Sequence, residues 1–405
     1  MIRPARGHQP ENAVRAPVAV DARVAVSAVL FLVAAAHFFN DIYMGFFTPL
    51  FPIVMEKFGL TLSMVGVISM VAALASAMSQ PLFGMLFDRF GITSSLYLAP
   101  LLTGILVSCL GVMPSYPLFL AALFLGCLGS AAFHPKGASV TPTLSGSHPE
   151  IGMAIFSAGG NLGFAAGPAV IAFFVSMWGF RSTPLLAVPA ALVAGALFLL
   201  LPARELKART ARSERVTWKV LFADRRDRAV LLRLVFINIC LTAAVRGLST
   251  FLPVYMAKLS MPLTSIGVLF TVMLALGAVI SVFVSSLSRS TGKRVLILIS
   301  LAAGAPLAVG GYLLFPSAAG SILIVLAGTV LTFSNPLLIL LAQRHSGGSP
   351  AMASSLIMGL SWGLGGLAMV PLGAIGELIG LPAMMVLVGA FPLLAVLSCL
   401  RLPRE

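Results

Sequence analysis

Twelve long apolar stretches run along the chain, separated by short polar turns and one longer polar interruption. In the first half they lie at Val24–Val54, Ser63–Phe87, Ser94–Met113, Pro117–Leu144, Ile151–Trp178 and Thr183–Leu201. In the second they lie at Ala229–Met256, Leu263–Leu287, Val295–Phe315, Ser317–Leu341, Ala351–Ile375 and Pro382–Leu400. Each approaches or exceeds the roughly 20 residues that a helix needs to cross a bilayer's hydrocarbon core. The runs are continuous rather than alternating and far longer than a barrel strand, so the pattern predicts helices and argues against a sheet.

The second six stretches repeat the first at a fixed offset of 201 residues. Pro52 returns as Pro253, Met55 as Met256, Lys57 as Lys258, Leu62 as Leu263, Gly66 as Gly267, Val67 as Val268, Leu86 as Leu287, Gly91 as Gly292 and Pro135 as Pro336. The expected fold is an all-α membrane protein of twelve transmembrane helices in two pseudo-symmetric six-helix bundles, over residues 23–201 and 229–400. Two related bundles can rock against each other around a site at their interface. Residues 1–22 are expected to be a disordered cytoplasmic N-terminus, 202–228 a cytoplasmic linker and 401–405 a cytoplasmic tail. Within the linker Trp218, Val220, Leu221 and Phe222 interrupt the charges, which suits either a short helix lying on the membrane surface or a plain solvated segment. The remaining connections are short, so successive helices are antiparallel neighbours and no soluble catalytic domain fits between them.

Composition agrees with this pattern. The chain is 59% hydrophobic and only 9% charged, against about 25% charged for a soluble domain. Its net charge of +14 suggests nucleic acid until the charges are placed. Of the 26 Lys and Arg, 21 fall on the side of the N-terminus, three (Lys57, Arg181 and Lys258) fall opposite, and Lys136 and Arg246 lie within spans. The positive-inside rule then puts both termini and the central linker in the cytoplasm, with the excess charge near lipid headgroups rather than nucleic acid. Arg23 followed by Ala34-Ala35-Ala36 imitates a cleavable signal peptide, but the apolar run continues to Val54 and cutting there would spoil the repeat. Cys109, Cys127, Cys240 and Cys399 sit in separate spans without metal-ligand spacing. No glycine-rich phosphate loop with its Lys and Ser/Thr appears, so no nucleotide, metal or other cofactor is expected.

Two motifs carry a resemblance. Gly84-Met-Leu-Phe-Asp88-Arg89-Phe-Gly91 closes the second span, and its glycines allow close approach and a tight turn. This segment resembles the signature loop of the major facilitator superfamily, which in that family latches the bundles together on the cytoplasmic side and controls the conformational switch. The basic pair that usually follows the second glycine is replaced by Ile92 and Thr93, while the second half supplies Gly292-Lys293-Arg294 and has Arg289 at the aspartate position. The resemblance therefore implies a latch split between halves, from Gly84, Asp88, Arg89, Gly91, Arg289, Gly292, Lys293 and Arg294. In the fifth span Gly159, Gly163 and Gly167 recur every four residues, with Pro168 directly after, so a second helix can come into backbone contact along the stripe. The pattern resembles the glycine-proline motif in fifth helices of drug and proton antiporters and favours export; a tightly packed helix with no directional meaning fits equally.

A narrower resemblance lies in His37-Phe-Phe-Asn40-Asp41-Ile-Tyr43, Phe133-His134-Pro135-Lys136-Gly137 and Gly159-Gly160-Asn161-Leu-Gly163. Together these look like the fosmidomycin-resistance branch of the superfamily, which implies efflux driven by protons. Charges deep in a membrane are costly and are functional candidates by default. Asp41 is the carboxylate nearest mid-bilayer, with His37 one turn away on the same face, and such a pair can exchange protons during a transport cycle. A fixed tie from Asp41 to Lys136 or Arg246 and a direct substrate contact are the other readings. His134 joins His37 and Asp41 as a proton-coupling candidate. Lys136 is a substrate-binding candidate whose ammonium could instead snorkel to the interface. Arg246 sits where the first half has Gly45 and needs an anion, either a substrate or a permanent ion pair. Asn40, Asn161, Asn238 and Asn335 are weaker substrate-binding candidates, the last two standing where the first half has His37 and His134.

With Asp41 set against Lys136 and Arg246 the embedded charge is net positive, which points to an anionic or zwitterionic small-molecule substrate, with protons as coupling ion, membrane lipid as surroundings and a monomer as the working unit. An importer or uniporter remains the alternative within the class, and a transporter-like receptor or an intramembrane enzyme outside it.

Overall fold

The computed structural model describes residues 28–90, 92–146, 148–201, 224–347 and 350–403. The N-terminal segment 1–22 and the suggested surface helix around Trp218 lie outside the described residues. Among the described residues twelve helices are long and apolar enough to cross a membrane: α1 (Ala28–Phe58), α2 (Leu62–Phe87), α3 (Ser95–Val112), α4 (Tyr116–Leu144), α5 (Pro149–Trp178) and α6 (Phe180–Leu200), then α7 (Arg225–Lys258), α8 (Leu263–Thr291), α9 (Lys293–Leu314), α10 (Ala318–Arg344), α11 (Met352–Ile379) and α12 (Leu381–Leu400). Large side chains such as Leu199 and Leu378 stand exposed on their outer faces, as a lipid-facing surface requires.

Several helices run past their apolar stretches. The clearest case is α7, which begins at Arg225 rather than Ala229 because Asp224 caps it, accepting hydrogen bonds from the backbone N–H groups of Arg226 and Asp227 at 2.7 and 2.9 Å. A polar first turn outside the bilayer leaves no mark on a hydropathy pattern. Asp224 lies outside the membrane-spanning segments, and those two N–H groups hold its carboxyl below the usual carboxylate range. Other helices are locally irregular: α2 and α11 each contain a π-helical turn, Leu74–Met78 and Leu356–Leu360, and these two turns pack against each other.

The closest pairing within a half is that of α1 with α5. Gly159, Gly163 and Gly167 lie against the carbonyl oxygens of Ala34, Phe38 and Ile42; a Cβ at any of them would approach those oxygens to 2.4, 2.1 and 2.5 Å. Four-residue spacing on both helices keeps the contact in register over three turns. Pro168 follows the stripe, and its backbone carbonyl and side chain stand close to Gly267 and Gly45, respectively. In α11, Gly359 and Gly363 do not repeat this arrangement. They face Ala77 and Met78 of α2, in the opposite half.

The halves are joined at one end. Among the described residues the hydrogen bonds between them run from Ser63 N–H and Oγ to Glu377 Oε1 (2.8 and 2.9 Å), from Thr250 Oγ1 to Ser69 Oγ (2.9 Å) and from Ala169 N–H to Thr271 Oγ1 (3.0 Å). All lie within about three helical turns of the end that carries Lys57 and Lys258.

Candidate functional site

Helical spacing assembles the centre of the first half. His37 and Asp41 stand one turn apart on α1, Ser130 and His134 one turn apart on α4, and the two faces meet. His37 Nε2 lies 3.3 Å from Asp41 Oδ2, and His134 Nε2 lies 3.4 Å from Asp41 Oδ1. Asn40 Nδ2 donates both protons, to Asp41 Oδ1 at 2.8 Å and to Ser130 Oγ at 2.9 Å. Ser130 Oγ is also 3.3 Å from His134 Nε2. On the third side the His37 ring stacks on Phe156 of α5 with centroids 4.0 Å apart, and its Nδ1 lies 2.8 Å from the Phe156 carbonyl oxygen. A carbonyl only accepts, so Nδ1 carries the hydrogen and Nε2 of the neutral ring turns a lone pair toward Asp41. Gly160 makes this possible, since a Cβ there would sit 2.4 Å from His37 Nε2 and 2.9 Å from Asp41 Oδ2.

One side-chain nitrogen or oxygen from each of His37, Asp41 and His134 thus lies within 4.8 Å of the others. The sequence spacing did not register this group because two helices supply it. Ser130, His134 and Asp41 also meet, but not as a hydrolytic triad. Both contacts use His134 Nε2, whereas a triad needs the nucleophile on one imidazole nitrogen and the carboxylate on the other. The side chains of Asp41 and His134 are 16% and 26% exposed, so the cluster is open on one side.

Other expected residues are placed differently. Asp41's partners are His37, His134 and Asn40; neither Lys136 nor Arg246 is among them, which removes the fixed ion-pair reading. Lys136 is 2% exposed and held inside the protein, so its ammonium does not snorkel to the surface. Among the described residues Arg246 forms no hydrogen bond or ion pair, and the ionisable group its charge acts on is Cys127 of α4, in the other half. Cys127, Ser130 and His134 recur at three- and four-residue spacing, so Arg246 approaches the α4 face that carries the cluster. Asn238 is fully buried, and its Nδ2 donates to the Ile357 carbonyl at 2.7 Å. Asn161 is exposed and Asn335 half-buried, and neither hydrogen-bonds a described residue.

The two switch segments do not meet among the described residues. Gly84 packs on Pro135 of α4, Arg89 is exposed over the Phe90 ring, and Arg289 is exposed. Gly292 has φ of 85° and divides α8 from α9; Lys293 is buried, and Arg294 Nη1 donates to the Leu402 carbonyl within its own half. Gly91 and the Asp88 side chain lie outside the described residues. Sequence reasoning missed Ser130, Phe156 and Gly160 as members of the cluster. The Gly159-Gly160 pair was visible, but only the fold shows which glycine faces the histidine.

Twelve spanning helices in two related halves, tied at one end and carrying a buried histidine-carboxylate cluster, make a multi-pass membrane carrier. The chain belongs to the Major Facilitator Superfamily, whose family model matches residues 33–370. It is 28% identical over 393 residues, 93% of either chain, to the uncharacterized MFS-type transporter YfnC of Bacillus subtilis. It is 24% identical over 381 residues, 91% of either chain, to the fosmidomycin resistance protein of Escherichia coli. Among solved structures, that of the nucleoside transporter NupG superposes with a TM-score of 0.72 at 13% identity, covering 92% of this chain and 98% of its own. A member of this superfamily is a transporter of a small molecule and not an enzyme.

Proposed function

We propose that the chain is a secondary active transporter of the cytoplasmic membrane, both termini cytoplasmic, that expels a small anionic or zwitterionic organic solute in exchange for protons. The observation that carries this reading is the His37-Asp41-His134 cluster set across from Arg246, a permanent cation with no anionic partner among the described residues. A proton on the cluster and an anion at Arg246 are the two loads that alternate. Asn161 and Asn335, neither tied to a described residue, supply further hydrogen bonds for the solute, whereas Lys136, Asn40 and Asn238 are buried inside the protein and serve its internal structure in this conformation. The relation to a fosmidomycin resistance protein supports drug export.

The tied end, which carries Lys57 and Lys258, is the outer one on the charge count, so this conformation opens to the cytoplasm. Closing that side brings the split latch together from Gly84, Asp88, Arg89 and Gly91 on one half and Arg289, Gly292, Lys293 and Arg294 on the other. The test uses purified protein in proteoliposomes under an imposed pH gradient. Asp41→Asn is expected to abolish uphill transport while solute exchange continues, and anions should bind better than cations of matched size. Normal uphill transport by Asp41→Asn would remove the coupling assignment. Net solute movement in the same direction as protons would favour an importer.

A further inference from the structure

Both halves make one side-chain tie at the repeat offset. His37 donates from Nδ1 to the carbonyl of Phe156 at 2.8 Å; 201 residues on, Asn238 donates from Nδ2 to the carbonyl of Ile357 at 2.7 Å. An imidazole and an amide share one capacity here, an N–H aimed at a carbonyl of the facing helix. That half of the His37 ring is therefore scaffold, and only Nε2 is additional. On the amide side the second polar atom, Asn238 Oδ1, is buried without a partner among the described residues.

The tie has a chemical effect. With Nδ1–H fixed, neutral His37 presents Nε2 as an acceptor, 3.3 Å from Asp41 Oδ2, itself an acceptor when ionised. Two acceptors face each other until a proton arrives. His134 is not fixed in this way: its Nδ1 has no partner among the described residues, and its side chain is the more exposed of the two rings. A ring with one nitrogen toward open space and the other toward a carboxylate can take a proton on the first and release one from the second. The ionisable groups acting on His134 are Asp41 and His37, those acting on Asp41 are His134 and His37, and Arg246 faces α4 from α7.

We propose that His134 is the entry and exit of the coupling proton, Asp41 its seat, and His37 a positioning residue whose fixed Nε2 receives the O–H of protonated Asp41. This deepens the proton-coupled reading above and rests on it. In the loading step a proton from water adds to Nδ1 of neutral His134 and the ring becomes an imidazolium. Nε2 then gives its proton to Asp41 Oδ1, leaving a neutral ring and a neutral carboxylic acid. A half-turn of the carboxyl group points the new O–H at His37 Nε2. Release reverses each transfer, and the proton leaves from His134 Nδ1.

Two measurements test the roles. Nitrogen NMR of the full chain, with labelled histidine and reconstituted in lipid, is expected to show one ring whose Nδ1 keeps its hydrogen at every pH tested, a signal lost in His37→Asn. A second ring should titrate or exchange tautomers and vanish in His134→Asn. In proteoliposomes His37→Asn, which keeps the tie as Asn238 does, should retain gradient-driven transport with a shifted pH profile, while His37→Ala should lose thermal stability as well. His134→Asn should slow gradient-driven transport by roughly 100-fold, the lower end of what a positioned acid-base group supplies. Retained coupling in His134→Asn, or a His37 ring whose Nδ1 loses its hydrogen as pH changes, overturns the assignment. Unchanged proton dependence in Asp41→Asn would sink the coupled reading itself, and the NMR result would tell that failure apart from a wrong division of labour.

Discussion

Gly160 shows how narrowly the cluster is fitted. No carbon can be added to it without entering the space between His37 Nε2 and Asp41 Oδ2. Gly160→Ala is therefore expected to reduce gradient-driven transport much as Asp41→Asn does, while the protein still folds. Gly195, on α6, is the control, because a Cβ there meets nothing within 4 Å. Gly195→Ala should leave transport intact and raise thermal stability slightly, since a helical glycine costs about 0.5–1 kcal/mol against alanine. Thermal melting together with a flux assay checks both variants, and equal transport by Gly160→Ala and the parent would show that the cluster tolerates displacement. At this scale the sequence was partly legible. Four-residue spacing put His37 beside Asp41, but nothing in the order of residues says that Ser130 and Gly160 complete the group, because those contacts cross between helices.

The glycine stripe acts at the scale of the helix. Hydrogen bonds between membrane helices average only about 0.6 kcal/mol, so close backbone contact over three turns of α1 and α5 is a substantial part of what holds the pair. Gly163→Leu would drive a side chain into the Phe38 carbonyl and is expected to cost about 1–3 kcal/mol, the usual range for overpacking. The same variant should loosen the bond from His37 to Phe156, so the melting temperature and the locked histidine signal should fall together. A normal melt would mean that α5 can move aside freely. The spacing of the stripe was readable in advance, whereas its partner was not. Glycines at similar spacing in α11 serve the other purpose, letting α2 of the opposite half approach beside the paired π-helical turns.

For the whole molecule, the joined end defines the state. Ser63 and Glu377 connect the start of α2 to the end of α11 across the two halves. A Ser63→Cys, Glu377→Cys pair, in a background lacking the four native cysteines, is expected to cross-link and stop transport until a reductant is added. Continued transport by the cross-linked protein would mean that this end does not open during the cycle. The twelve helices and the duplication were plain in the sequence because hydropathy and a constant offset survive any arrangement of loops. The separation of the described parts of the two switch segments was not, since a sequence describes every conformation of a moving protein at once and a structure describes one.

The bond from His37 to Phe156 and its copy from Asn238 to Ile357 also carry a history. Doubling a gene copies contacts together with residues, and a bond that recurs at the repeat offset is what such a doubling leaves behind. The two copies differ at that place by a ring in one and an amide in the other. Acid-base capacity is thus the part of the pair in which the two halves differ, and the fastening bond is the part they share.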